Sequence, residues 1–294
     1  MLVKGADWFV DGASAIAARL GIPQLVIGLT IVAMGTSAPE AAVSITASLS
    51  GSADLSIGNV LGSNIMNILI ILGLAAAITP IAVKKSTMFR EIPFMLLASI
   101  VLPLLGLDGT ISLLDGVILW CLFLVYLGYL FVMAKRGGSD LDDIFSRRPL
   151  WKSALWTVVG LALIVLGSDV AVEAASSIAR SLGLSERLIG LTIVALGTSL
   201  PELFASVAAA RRGNADIAIG NIVGSNVFNL LFVIGTSALI TPVPFAAAFR
   251  IDAIIAIAAA VLLFLCCLRR ARVSRKSGIL MLAAYVAYFF LVLL

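Results

Sequence analysis

The sequence predicts an all-α, polytopic membrane protein of about ten transmembrane helices, arranged as two inverted repeats of five helices each. Three observations carry this prediction: the composition, the apolar runs and an internal repeat. Of the 294 residues, 61% are hydrophobic and 12% are charged, whereas a soluble domain carries about 25% charged residues. The composition therefore excludes an ordinary soluble protein.

Ten runs of the chain are long and apolar enough to span a bilayer, because a transmembrane helix needs about 20 mostly apolar residues. They are 2–20, 24–47, 56–78, 92–107, 113–134, 154–179, 188–210, 217–240, 245–268 and 279–294. The first run carries Lys4, Asp7 and Asp11, which leaves two explanations open. Either the natural chain starts upstream, or the first helix is only partial.

Basic residues are distributed unequally between the two sides of the membrane. If alternate loops lie on opposite sides, 16 of the 20 Lys and Arg residues fall on one side and four on the other. By the positive-inside rule the richer side is cytoplasmic, so both termini face outward. The basic loops are expected to contact anionic lipids rather than nucleic acid. Cys121, Cys266 and Cys267 lie in apolar runs and are interpreted as packing residues.

The second half of the chain repeats the first. A shift of 162 aligns residues 27–73 with 189–235 without a gap, and 26 of those 47 positions are identical. The predicted units are a first membrane repeat (1–134), a cytoplasmic connector (135–150) and a second membrane repeat (151–294). Five spans per half is an odd number, so the second copy enters the membrane from the opposite side. Secondary transporters share this plan and place their substrate sites near the midplane, between the repeats.

A proline-broken motif puts a carboxylate inside an apolar run of each repeat: GTSAPE at 35–40 and GTSLPE at 197–202. The glutamate and a threonine four residues earlier share a helix face; these pairs are Thr36 with Glu40 and Thr198 with Glu202. Each proline disrupts the helix ladder and frees carbonyl oxygens of the preceding turn. Such oxygen ligands suit Ca²⁺ and Na⁺. Because an ionised residue at the bilayer centre costs about 3 kcal/mol, the motifs predict a cation site.

The next span of each repeat carries a neutral polar stripe, in GNVLGSNIMN at 58–67 and GNIVGSNVFN at 220–229. Polar residues four positions apart share a helix face; they are Asn59, Ser63 and Asn67, and Asn221, Ser225 and Asn229. The glycine pairs let another helix approach closely, so the stripe is expected to meet the glutamates. The alternative is that the stripe only forms hydrogen bonds between helices. This second interpretation is favoured for Asn64 and Asn226, which lie off the stripe.

Taken together, the duplicated motifs resemble those of the cation/calcium antiporter superfamily, most closely the bacterial sodium/calcium exchangers with ten helices. The resemblance implies exchange of cytoplasmic Ca²⁺ for external Na⁺ by alternating access, in the inner (cell) membrane of a bacterium. It implies no enzymatic activity, no cofactor apart from the transported ions, and no known protein partner.

The resemblance also implies a set of ion ligands. Glu40 and Glu202 would be the central ligands of Ca²⁺ and Na⁺, with oxygens from Thr36 and Thr198. Ser63 with Ala33, and Ser225 with Ala195, would complete flanking sodium sites, and Asn67 and Asn229 would close the middle. Some family members, including those that also carry potassium, have an aspartate at the position that matches Asn229.

Other functions remain open from the residues alone. In a proton-coupled calcium antiporter the glutamates would be protonated on the return step. Sodium dependence of transport distinguishes a sodium/calcium exchanger from this alternative. A passive cation channel would show uncoupled flux. An intramembrane enzyme using Ser37 or Ser199 is disfavoured, because the chain has no histidine and the motif-bearing spans have no lysine to activate a serine.

Overall fold

The computed structural model describes residues 1–136, 149–183, 195–268 and 270–293. These residues form helices joined by short connections, together with four strands of two residues each. The helices are α1 (Leu2–Leu20), α2 (Gln24–Thr36), α3 (Ala38–Leu49), α4 (Asp54–Ile78), α5 (Thr87–Asp108), α6 (Leu113–Arg136), α7 (Leu150–Ser181), α8 (Ala195–Thr198), α9 (Leu200–Arg211), α10 (Ala215–Ile240), α11 (Ala247–Leu268) and α12 (Arg275–Leu293).

Several of these helices are long enough to cross a membrane. Within the described residues, six pass on length and apolar composition, and a seventh passes if the bent pair α2 and α3 is counted as one span. The prediction of an all-α, multi-pass membrane protein is therefore confirmed. The count of ten stays a prediction, since α1 carries four charged residues, α12 is not among the helices that pass, and part of the run 188–210 lies outside the described residues. Most of the predicted connector, 135–150, also lies outside them.

Helices α4 and α10, which carry the two polar stripes, lie at the centre of the fold. In their most apolar windows, 72% of α4 and 94% of α10 is buried, whereas the other four spanning helices range from 22% to 39%. Small residues make this close packing possible. A Cβ atom added to Gly224 would lie only 2.7 Å from the carbonyl oxygen of Leu29 on α2. The predicted close approach of another helix is thus confirmed for α10.

The proline motifs break the helices as predicted. The axes of α2 and α3 differ by 50°, and the break falls at Ser37, with Pro39 in the first turn of α3. The corresponding break separates α8 from α9 at Ser199. Each proline lacks the N–H that would continue the ladder of backbone hydrogen bonds, so a serine and its neighbours are left between two helix ends.

Two short antiparallel ribbons join loops that are distant in sequence. Strand β1 (Ile81–Ala82) pairs with β4 (Arg272–Val273), and β2 (Thr110–Ile111) pairs with β3 (Val243–Pro244). The shift of 162 relates β1 to β3 and β2 to β4, so the two ribbons are equivalent under the repeat. Each ribbon joins two loops that the ten-span topology places on the same face of the membrane.

Candidate cation site

The breaks in the two proline motifs face each other, and their side chains cross from one repeat to the other. The hydroxyl of Ser37 donates to Oε1 of Glu202 at 2.8 Å, and the hydroxyl of Ser199 donates to Oε1 of Glu40 at 3.2 Å. Glu40 is 1% exposed and Glu202 is fully buried. The structure therefore brings both predicted glutamates into a single buried site.

Four of the predicted ligands each have a buried side-chain oxygen without a hydrogen-bond partner among the described residues: Oε2 of Glu40, Oε2 of Glu202, Oδ1 of Asn67 and Oδ1 of Asn229. All four are acceptors, and a buried acceptor without a partner costs free energy. The ion pairs found among the described residues lie elsewhere, between Lys84 and Asp216 and between Arg212 and the aspartates of α1. A bound cation would satisfy the four oxygens and offset the charge of the carboxylates.

A second layer of hydrogen bonds holds the backbone of each glutamate. The side-chain amide of Asn59 donates to the carbonyl oxygen of Glu40 at 3.2 Å, and that of Asn221 donates to the carbonyl oxygen of Glu202 at 3.3 Å. The amide of Asn221 also accepts a hydrogen bond from the hydroxyl of Thr36 at 3.0 Å. The first residue of each stripe therefore orients a glutamate, and this part of the stripe meets the motifs as predicted.

The serines of the two stripes contact the broken helix of the opposite repeat. The hydroxyl of Ser225 donates to the carbonyl oxygen of Ala33 at 3.4 Å, and the hydroxyls of Ser63 and Ser199 lie 3.3 Å apart. The flanking sodium sites expected from Ser225 with Ala195, and from Ser63 with Ala33, stay predictions, and the contact of Ser225 adds the carbonyl of Ala33 to its surroundings. The physical reason for this contact is that α10 packs against α2, so its serine reaches a carbonyl of the other half.

Thr198 and Ala195 lie in the short helix α8. Thr198 is partly buried and lines a cavity of about 270 Å³, together with both motif prolines and the acidic residues Asp169 and Glu173 of α7. This cavity is adjacent to the helix breaks that carry the glutamates.

The sequence interpretation missed two features of the site. It treated Ser37 and Ser199 only as possible nucleophiles, although their hydroxyls are the hydrogen-bond donors to the carboxylates. Their duplication in the two motifs was a signal that could have identified them. It also passed over Glu173 of α7, and no local pattern indicates that this residue lies near the motifs.

Comparison with known proteins agrees with this geometry. The family described as sodium/calcium exchanger protein matches residues 1–132 and 152–294. The chain belongs to the sodium/calcium exchanger family. Its members are membrane antiporters, so this exchanger-family protein is a multi-pass transporter of cations, as the resemblance of its motifs implied.

The similarity to individual known proteins covers nearly the whole chain. It is 41% identical to the putative antiporter CaxA of Alkalimonas amylolytica, over 99% of this chain and 95% of that protein. It is 33% identical to the sodium/calcium exchanger MaX1 of Methanosarcina acetivorans, over 98% of this chain and 94% of the relative. Among solved structures, the sodium-calcium exchanger NCX_Mj matches with a TM-score of 0.86 and 36% identity, covering 98% of this chain and 94% of the other.

Proposed function

We propose that this protein exchanges Ca²⁺ for Na⁺ by alternating access, at the site formed by Glu40 and Glu202. The observation that carries the proposal is the set of four buried, unpartnered acceptor oxygens on these glutamates and on Asn67 and Asn229. Ca²⁺ takes six to eight oxygen ligands at about 2.3–2.6 Å, and two carboxylates neutralise its charge. The oxygens of Thr36 and Thr198 would complete the coordination.

Sodium ions would occupy flanking positions when Ca²⁺ leaves. The contact between Ser225 and the carbonyl of Ala33 supports one such position, and the shift of 162 generates its counterpart from Ser63 and Ala195. Because every one of these positions uses both halves of the chain, a movement of one half relative to the other would change access to all of them together. Inverted repeats support alternating access in this way.

The relatives support sodium as the coupling ion. Both MaX1 and NCX_Mj are named sodium/calcium exchangers. We also propose that the protein lies in the inner membrane of a bacterium with both termini outward, and that its basic loops contact anionic lipids of the cytoplasmic leaflet. No cofactor other than the transported ions is required for this mechanism.

The test is ⁴⁵Ca²⁺ uptake by proteoliposomes that contain the purified protein and are loaded with Na⁺. Uptake should require an outward sodium gradient and should be abolished in Glu202→Gln, which retains the shape of the side chain and removes one charge. Glu91→Gln is the matched control, because Glu91 is also fully buried and also has one carboxylate oxygen without a partner, but its other oxygen accepts from the hydroxyl of Tyr129 rather than from a motif serine.

The outcomes distinguish the competing functions. Sodium-driven uptake that Glu202→Gln abolishes and Glu91→Gln preserves supports the proposed exchange. Uptake that ignores sodium but follows a pH gradient indicates proton coupling. Calcium flux that needs neither gradient indicates a channel, and equal losses in both variants indicate that the site lies elsewhere.

A further inference from the structure

Four buried asparagines meet where α4 and α10 contact each other. Asn64 and Asn226 are 2% and 1% exposed, and Asn67 and Asn229 are 1% and 0% exposed. The Oδ1 atoms of Asn67 and Asn229 are buried without a partner, and the proposed function makes them ligands of the cation. Asn64 and Asn226 lie off the polar stripe, and the sequence analysis predicted only hydrogen bonds between helices for them.

Backbone carbonyls determine which way the off-stripe amides point. The Nδ2 atom of Asn64 donates to the carbonyl oxygen of Asn226 at 3.2 Å, and Nδ2 of Asn226 donates to the carbonyl oxygen of Asn64 at 3.3 Å. A backbone carbonyl can only accept a hydrogen bond, so an amide oxygen cannot take either place. In both residues Oδ1 must therefore point away from the backbone of the opposite helix.

These two oxygens in turn determine the orientation of the site asparagines. Oδ1 of Asn226 accepts from Nδ2 of Asn67 at 3.0 Å, and Oδ1 of Asn64 accepts from Nδ2 of Asn229 at 3.2 Å. An acceptor selects the NH₂ end of the neighbouring amide. The Oδ1 atoms of Asn67 and Asn229 are consequently directed elsewhere, and they are the ones left without a partner.

We propose that Asn64 and Asn226 are positioning residues, which hold the amides of Asn229 and Asn67 so that their carbonyl oxygen faces the cation. The inference rests on the proposed function, because it needs a cation at this site. An amide has two ends of similar shape and opposite polarity. If the amide of Asn229 were free to rotate, its NH₂ group could replace a ligand oxygen with a donor that repels the cation.

A double-mutant cycle separates positioning from simple attachment of α4 to α10. Asn64→Leu removes the acceptor that holds Asn229, and we expect the calcium dissociation constant to rise by about 10- to 100-fold, the usual loss when the partner of a metal ligand is removed. Asn229→Asp provides the second background. Its two carboxylate oxygens are both acceptors, so its ability to bind a cation does not depend on which one Asn64 holds.

In the Asn229→Asp background, Asn64→Leu should leave the calcium affinity unchanged or increase it, because Oδ1 of Asn64 would otherwise face a carboxylate oxygen. An equal loss of affinity in both backgrounds would overturn the inference, since it is the result expected if Asn64 only joins the helices. The absence of a loss in the original background would also overturn it.

The readout is the calcium-dependent rise in melting temperature of each purified protein, titrated with Ca²⁺ alone. If the unmodified protein shows no sodium-driven flux, the proposed function fails, while the four dissociation constants still decide this inference. Failure of the unmodified protein to bind Ca²⁺ overturns both. If Asn64→Leu does not fold, Asn226→Leu with and without Asn67→Asp repeats the cycle in the other half of the site.

Discussion

Gly224 marks a close approach of α10 to α2, and the effect of an alanine there can be worked out from the distances. A Cβ atom at Gly224 would lie 2.7 Å from the Cβ of Ala33 and 2.7 Å from the carbonyl oxygen of Leu29. Nonbonded carbon atoms are most favourable at about 3.5–4.0 Å, so the two helices must separate by roughly 1 Å. Rotation of a side chain cannot relieve the contact, because the oxygen of Leu29 belongs to the backbone.

This displacement falls on the cation site. The carbonyl oxygen of Ala33 lies 3.4 Å from the hydroxyl of Ser225, in the interface that Gly224→Ala would open. Overpacking of this kind typically destabilises a protein by about 1–3 kcal/mol. Because the displaced carbonyl belongs to the site, part of this cost should weaken cation binding, and about 1.4 kcal/mol lost from binding lowers the affinity tenfold. We therefore expect Gly224→Ala to lower the melting temperature and to raise the half-saturating Ca²⁺ concentration by about tenfold.

The assay is ⁴⁵Ca²⁺ uptake at increasing Ca²⁺ concentration in sodium-loaded proteoliposomes, beside thermal unfolding in detergent. Gly128→Ala is the control, because Gly128 is exposed on α6 and a Cβ atom there meets no described atom within 4 Å. In a helix interior, alanine is favoured over glycine by about 1 kcal/mol, so the control should be at least as stable as the original protein. Matching behaviour of Gly224→Ala and Gly128→Ala in both assays would refute the reasoning.

Three further predictions concern packing, surface charge and coupling. A Cβ atom at Gly160 would lie 2.7 Å from the carbonyl oxygen of Gly5 and would also overlap the backbone nitrogen of Phe9. Gly160→Ala should therefore destabilise the contact between α1 and α7 by about 1–3 kcal/mol; thermal unfolding measures this, and an unchanged melting temperature contradicts it. Arg212 is an exposed residue and forms ion pairs with Asp7 and Asp11 at the surface of the protein, so Arg212→Gln should change stability by no more than about 1 kcal/mol. That difference should shrink at 1 M salt because salt screens exposed charges, and melting at low and high salt tests it. If three Na⁺ exchange for one Ca²⁺, an inside-positive potential should accelerate uptake into sodium-loaded vesicles, by about 2.3 kcal/mol of driving force per 100 mV; a potassium gradient with valinomycin sets the potential, and insensitivity to it would exclude this stoichiometry.

The sequence was most informative where the physical cause is local. A proline removes a backbone hydrogen bond and crowds the preceding turn, so the helix breaks at Ser37 and Ser199 could be predicted from Pro39 and Pro201. A glutamate in an apolar run needs a compensating charge, and this requirement is enough to make Glu40 a ligand candidate. The close approach of another helix to α10 likewise followed from its glycines.

Contacts between residues that are far apart in the sequence could not be predicted. Ser37 and Glu202 are 165 residues apart, and the repeat shows which positions are equivalent without showing which of them touch. The contact of Ser225 with the carbonyl of Ala33 was not predicted for this reason. The two ribbons have strands of only two residues, too short for any periodic pattern.

The crossed hydroxyl bonds have a consequence for how the protein can be divided. Glu40 depends on Ser199 for its hydrogen bond, and Glu202 depends on Ser37. A chain cut within 137–148 would yield two fragments that each expose an unsatisfied carboxylate in an apolar surface, so the fragments should be recovered as a heterodimer or degraded. One fragment could rebuild this contact by itself only if two copies were inserted in the membrane in opposite orientations. A pair of oppositely inserted copies of one half is therefore the smallest assembly that could form such a site.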